Sequence, residues 1–186
     1  TGRGDSNETN AGSHSEDVDF PSLFIEYTGH ESGRLFGGTI GFEFIPGKHS
    51  IGAKTRTDSN NAKDTSDDGD YTGKAEVSHF ARLYVEPTIM ANDYFGVYLK
   101  GGISHVKVRS LESIEVGDVS STYGDAHVMG GTYGVGMKFG SVLFLKLEAT
   151  KTEYESLTLT STTGNQNRIY ATPEQESVRL AIGLNF

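Results

Sequence analysis

The sequence contains no cysteine and no tryptophan, and only 4 of its 186 residues are proline. Without cysteine, neither a disulfide framework nor a thiolate metal site is possible. A membrane-spanning helix needs about 18 consecutive apolar residues, and the sequence has no such run. The formal net charge of −9 disfavours nucleic acid as a partner, because phosphate contacts need a basic surface. These observations exclude a disulfide-linked protein and a helical membrane protein, and they disfavour a nucleic-acid-binding protein.

What the chain does have is glycine and aromatic residues: 24 glycines, 9 tyrosines and 10 phenylalanines. This composition is typical of closely packed strands with aromatic side chains at their ends. The length suits one domain spanning residues 1–186.

Strict alternation of apolar and other residues marks the last ten positions, 177–186. A strand places alternate side chains on opposite faces, whereas a helix would not separate these residues in this way. One face is formed by Val178, Leu180, Ile182, Leu184 and Phe186. The opposite face is formed by Ser177, Arg179, Ala181, Gly183 and Asn185.

The same alternation predicts six more strands upstream, at 23–27, 36–44, 80–86, 95–104, 130–139 and 143–150. Short connections alternate with long polar segments, which we interpret as loops at 1–17, 46–75, 109–126 and 154–174. This long-short alternation indicates an up-and-down antiparallel arrangement.

The strand faces opposite the apolar rows carry charges on nearly every strand. Five are basic and four acidic, so a narrow barrel can pair them across its interior and offset their desolvation. The predicted barrel-interior charges are Glu26, Glu43, Arg82, Glu86, Lys100, Lys138, Lys146, Glu148 and Arg179.

The closing pattern Leu180–Phe186 is similar to the C-terminal signal that the barrel-assembly machinery reads in bacterial outer-membrane proteins. With the alternating strands, the chain resembles the small outer-membrane β-barrel superfamily of the outer-membrane protein A transmembrane domain and outer-membrane proteins X and W. The resemblance implies an all-β, eight-stranded barrel at the cell surface, with short turns facing the periplasm and long loops outside. It also implies lipid, lipopolysaccharide and the assembly machinery as partners, with Phe95, Phe139 and Phe186 in an aromatic girdle.

The function that this resemblance favours is structural or surface interaction, without a cofactor. The alternatives are a narrow porin-like channel for small solutes, and a bacteriophage or adhesion receptor acting through the loops. A soluble β-barrel or sandwich, with the apolar rows as its core, is less favoured. His79, His105 and His127 would share the outer rim, but no nucleophile motif accompanies them, so we predict no enzyme.

Seven strands conflict with the even number that single-chain bacterial barrels have. One solution makes Pro46–Lys48 a turn and His49–Arg56 an additional strand. The other, which we prefer, places a strand before Thr1. The chain starts without a basic-then-apolar leader, so we expect any signal peptide to have been removed.

An acidic segment, Asp64–Asp70, resembles the start of a calcium-binding loop, with Gly69 at the sixth position. The twelfth position holds Ala75 where the loop needs a bidentate glutamate. We therefore predict a solvated acidic loop, with weak calcium binding as the alternative, and no metal site.

Overall fold

The computed structural model describes residues 15–58, 69–114, 121–162 and 168–185, and most of these residues lie in strands. No helix in these ranges is long and apolar enough to cross a membrane. The strands are β1 (Leu23–Gly29), β2 (Phe36–Asp58), β3 (Gly69–Asn92), β4 (Phe95–Ile114), β5 (Ser121–Gly140), β6 (Leu143–Tyr154), β7 (Leu157–Thr160), β8 (Arg168–Ala171) and β9 (Glu174–Leu184).

Seven strands form one curled antiparallel sheet, in the order β1-β2-β3-β4-β5-β6-β9. The seven strands predicted from alternation are therefore confirmed. β7 and β8 form a separate two-stranded hairpin between β6 and β9. Neighbours in the main sheet are consecutive in the chain apart from this hairpin, so the topology is up-and-down. Within the described residues, β1 and β9 are the two edges of the sheet.

One end of the sheet carries the short connections between strands, and we call it the short-turn end. There the convex face is apolar and the concave face is polar. On β6, Leu143, Leu145 and Leu147 are exposed, whereas Lys146 and Glu148 between them are buried. This orientation is the reverse of a soluble barrel or sandwich, in which the apolar row would form the core.

The interpretation of the long polar segments as loops is wrong for most of their described residues. β2 and β3 pair as far as Asp58 and Gly69, and β4 and β5 pair as far as Glu112 and Ser121. The segment 154–174 contains the β7–β8 hairpin. These stretches lack an unbroken apolar row, so the pattern hid strands that backbone hydrogen bonds extend. Residues 1–14 of the segment 1–17 lie outside the described residues.

The alternative of an additional strand at His49–Arg56 is also wrong, because β2 does not reverse at Pro46–Lys48. β2 stays paired with β3 on both sides of this point, with a register shift between Ile45 and Lys48. Gly47 has a φ of 91°, a conformation that glycine adopts without a steric penalty. The Pro-Gly-Lys segment is thus a β-bulge, which accommodates extra residues without ending the strand.

Candidate functional site

The concave face holds a continuous chain of ion pairs in which acidic and basic side chains alternate. Eight of the nine predicted interior charges belong to it, and they come from six strands of the sheet. The successive nitrogen–oxygen distances are Glu26–Lys146 2.5 Å, Lys146–Glu86 2.7 Å, Glu86–Lys100 3.4 Å, Lys100–Glu148 3.0 Å, Glu148–Arg179 2.7 Å, Arg179–Glu43 2.7 Å and Glu43–Arg82 3.2 Å.

Hydroxyl groups satisfy further oxygens and nitrogens of this chain. Tyr84 donates a hydrogen bond of 2.7 Å to Glu26, and Tyr98 donates one of 2.9 Å to Glu148. Arg82 donates to Ser104 at 2.9 Å and to Thr152 at 3.2 Å. Because four acids balance four bases and hydrogen bonds surround them, the desolvation cost of these buried charges is offset.

Lys138 is the ninth predicted interior charge, and it lies apart from the chain of ion pairs. Its Nζ atom is 4.0 Å from the centroid of the Phe144 ring. Among the described residues it has no ion-pair partner, so the aromatic face is its main electrostatic contact there.

Glycines on the concave face make room for the tyrosine rings. A Cβ atom at Gly41 would overlap the ring of Tyr84, and one at Gly136 would overlap the ring of Tyr98. Both tyrosines are almost fully buried. Alternation places both tyrosines on the charged face of their strands, but it did not predict them as hydrogen-bond partners of the buried charges. Their place between or beside charged residues of the same row was the signal that could have predicted this role.

The polarity of the two faces is inverted partway along the strands. On β4, Leu99 and Ile103 are exposed on the convex face while Lys100 is buried on the concave face. Further along the same strand, Val106 is buried on the concave face and Lys107 lies on the convex face. The inner face at this level holds an apolar group, the upper cluster, formed by Phe80, Val106, Val108, Tyr123, Val128, Leu157 and Leu159.

The β7–β8 hairpin covers this upper cluster. Leu157 and Leu159 point into it, whereas the alternate residues Thr158 and Thr160 are exposed. Ile169 and Ala171 of β8 pack against the same group. The hairpin is therefore amphipathic. Its apolar face covers the concave side of the sheet at the end opposite the short turns, where the long β2–β3 and β4–β5 hairpins lie, and we call this the long-hairpin end.

Charged residues occupy the convex face at the level of the upper cluster. The strand register aligns Lys48, Ser78, Lys107 and His127 in one row across β2 to β5. The next row outward is formed by Ser50, Glu76, Arg109 and Asp125. A shallow cavity of about 70 Å³, the rim cavity, is lined by Lys48, Glu76, Ser78, His79, Lys107, Arg109 and Asp125.

The three histidines predicted to share a rim are only partly brought together. His105 and His127 are in hydrogen-bond contact, with 3.1 Å between Nε2 and Nδ1. His79 instead contacts Ser78 at 3.1 Å and lines the rim cavity. In the part of the chain that the structure describes, no group of three histidine or acidic side chains is arranged to hold a metal ion.

Phe95 and Phe139 lie together at the short-turn end, with ring centroids 4.8 Å apart. Phe186, predicted as the assembly signal and third girdle residue, lies outside the described residues. So do residues 64–68 of the predicted acidic loop.

The fold and interior define an all-β protein built on a curled antiparallel sheet with a charged concave face. Comparisons of the chain with protein-family models, curated proteins and solved structures found no match.

Proposed function

We propose that the chain forms a transmembrane β-barrel of a bacterial outer membrane, with a filled interior and a structural or surface-interaction role. The observation that carries this proposal is the inversion of face polarity along single strands. Between the short-turn end and the inversion, the convex face is apolar, as lipid requires. Beyond the inversion, towards the long-hairpin end, the convex face is charged and the concave face is apolar, as for a sheet in water.

The height of the apolar convex face supports this proposal. On β4 it runs from Phe95 to Ile103, which is nine residues. A tilted transmembrane strand needs about 9–11 residues to cross a bilayer. We name this convex region, with the apolar convex residues of the other strands of the main sheet, the apolar band. The paired rings of Phe95 and Phe139 would lie at its periplasmic interface.

Closure of the barrel is part of the proposal. β1 and β9 end the sheet, and Arg179 of β9 reaches 2.7 Å to Glu43 of β2 and 3.4 Å to Ser22 just before β1. The two edges thus share one interior. An eighth strand between them would remove the unpaired edges, which a membrane interior does not tolerate.

The chain of ion pairs favours a filled barrel over the narrow porin-like channel. Its members bridge opposite parts of the concave face, and Lys146 alone contacts Glu26 at 2.5 Å and Glu86 at 2.7 Å. The β2–β3 and β4–β5 hairpins extend beyond the apolar band and would supply the external contact surface. We therefore propose a non-enzymatic protein whose partners, such as a bacteriophage or an adhesion ligand, bind these hairpins.

Gel migration and conductance together test this proposal. A folded barrel extracted in detergent migrates differently before and after boiling, and we expect this shift. A protein that stays soluble without detergent and shows no shift would contradict membrane insertion. In planar bilayers, the filled interior predicts no stable conductance. Conductance that changes when Lys100 and Glu148 are neutralised would show that the interior conducts.

A further inference from the structure

We propose that the rim cavity binds the phosphate group of a membrane lipid headgroup. This inference rests on the proposed membrane placement. The cavity lies on the convex face directly beyond the apolar band, where lipid headgroups would meet the protein. The row formed by Phe44, Ala81, His105 and Met129, which is apolar except for His105, is adjacent to the row that contains Lys48 and Lys107.

Two irregularities in neighbouring strands form the cavity. β2 shifts register between Ile45 and Lys48, and β3 shifts register between Ser78 and Ala81. His79, at the second shift, has a φ of 54°, which is uncommon for a residue other than glycine. Bulges re-aim side chains and frequently occur beside functional sites. Here they bring Lys48, Ser78, His79 and Lys107 around one concavity.

The cavity is basic although the whole chain is acidic. Lys107 pairs with Asp125 at 2.6 Å and Lys74 pairs with Glu76 at 3.3 Å. Lys48 has no ion-pair partner among the described residues, and Arg109 adds a further cation. Three cationic side chains, Lys48, Lys107 and Arg109, therefore line the cavity together with two carboxylates, in a protein whose formal net charge is −9.

The donors match what a phosphate group needs. Lysine and arginine supply cationic N–H groups, and Ser78 supplies a hydroxyl between the two lysines of its row. The volume of about 70 Å³ is several times the roughly 10–15 Å³ that one water molecule needs, so the cavity has room for a group the size of a phosphate. The cavity therefore fits a single anionic group, and the acyl chains of the same lipid would lie along the apolar band below it.

Native mass spectrometry of the detergent-solubilised protein tests the site with dioleoyl phosphatidic acid and with dioleoylglycerol, the same lipid without phosphate. We expect tighter binding of the phosphorylated lipid. Each basic residue near a membrane surface contributes about 1 kcal/mol, and about 1.4 kcal/mol is a factor of ten. The double variant Lys48→Gln/Lys107→Gln should therefore weaken phosphatidic acid binding roughly thirtyfold.

Lys151→Gln is the matched control, because Lys151 is another half-buried lysine, paired with Glu174 at 3.0 Å and remote from the cavity. The affinity of the Lys151→Gln variant for phosphatidic acid should stay within about twofold of that of the unmodified protein. Equal binding of the two lipids, or an unchanged affinity in the double variant, would overturn the proposal. Displacement of the lipid by excess inorganic phosphate would show a free-phosphate site and overturn the lipid assignment.

The gel-migration test separates this inference from the proposed function. If the boiled and unboiled forms differ in migration while lipid selectivity is absent, only the lipid site is refuted. If the unmodified protein shows no such difference and stays soluble without detergent, the membrane placement itself is refuted.

Discussion

Lys100 and Glu148 form an ion pair across the concave face, with 3.0 Å between Nζ and Oε1 and side chains that are 0% and 1% exposed. They belong to β4 and β6, so β5 lies between them. At this level β5 contributes Gly134 opposite Lys100 and Gly136 opposite Glu148. The two charged groups therefore meet above a strand that has no side chains there.

Lys100→Met should lower the free energy of unfolding by about 3 kcal/mol, because removing one partner leaves buried carboxylates poorly compensated. Urea unfolding in detergent micelles measures this change. Lys151→Met is the control: Lys151 is only partly buried, so we expect a change within about 0.5 kcal/mol. Equal stabilities of the two variants would show that the ion-pair chain does not hold the interior together.

Gly136→Ala should destabilise the protein by about 1–3 kcal/mol, the usual cost of overpacking. The new methyl group would overlap the ring of Tyr98 and disturb its hydrogen bond to Glu148. Gly131→Ala, on the same strand, provides the comparison because no atom lies within 4 Å of its Cβ position. If both variants unfold at the same urea concentration, the close approach of Tyr98 is not important for stability.

The alternation of apolar and other residues was sufficient to predict the seven strands of the main sheet, although not their full length, and the side on which each charge lies. Lys100 and Glu148 were assigned to one face because each alternates with the apolar row of its strand and follows an outward leucine, Leu99 or Leu147. Alternation does not determine partners. Arg179 lies opposite Glu148 on the neighbouring strand, but its pairing with Glu43 of β2 depends on the curl of the sheet. Nor did alternation predict Tyr84 and Tyr98 as interior hydrogen-bond donors.

Alternation did not predict the strand residues of the long-hairpin end, for a different physical reason. Where the faces invert, apolar residues such as Val106 and Val108 move to the inner face, and the row used to recognise each strand is interrupted. On β3 the bulge near His79 also changes which positions face inward. Both effects made strand residues look like polar loop.

Leu159→Ala should loosen the β7–β8 hairpin, because truncating a buried leucine costs about 2–5 kcal/mol. The variant would lose packing contacts in the upper cluster, whereas the ion-pair chain would stay intact. Limited proteolysis should therefore cut between residues 157 and 171 faster in this variant. Thr160→Ala on the exposed side of β7 should be cut at the original rate. Identical cleavage of both variants would argue against a packed hairpin.

Asp93 connects the two turns at the short-turn end, where its carboxylate accepts hydrogen bonds from the Ser32 hydroxyl at 2.7 Å and the Gly33 N–H at 3.2 Å. The Ser32 hydrogen bond is the main cause that lowers the pKa of Asp93 below its usual value. The contact therefore stabilises the fold above the unfolded pKa of about 3.9, and this stabilisation is lost as the pH falls through the lower folded pKa.

Ser32→Ala should raise the pKa of Asp93 towards its usual value, which carboxyl ¹³C NMR titration in micelles would detect. Ser141→Ala, in another short turn, should leave it unchanged. An Asp93 pKa that does not respond to Ser32→Ala would show that this hydrogen bond does not form.

Fluorescence quenching by brominated lipids tests the membrane placement most directly, because the chain has no tryptophan of its own. Leu99 is 61% exposed in the apolar band, and Arg109 is exposed on the convex face of the same strand beyond the inversion. In vesicles of lipids brominated at mid-chain, Leu99→Trp should be strongly quenched and Arg109→Trp should not. Equal quenching of the two, or no quenching of Leu99→Trp, would contradict a barrel whose convex face lies in lipid.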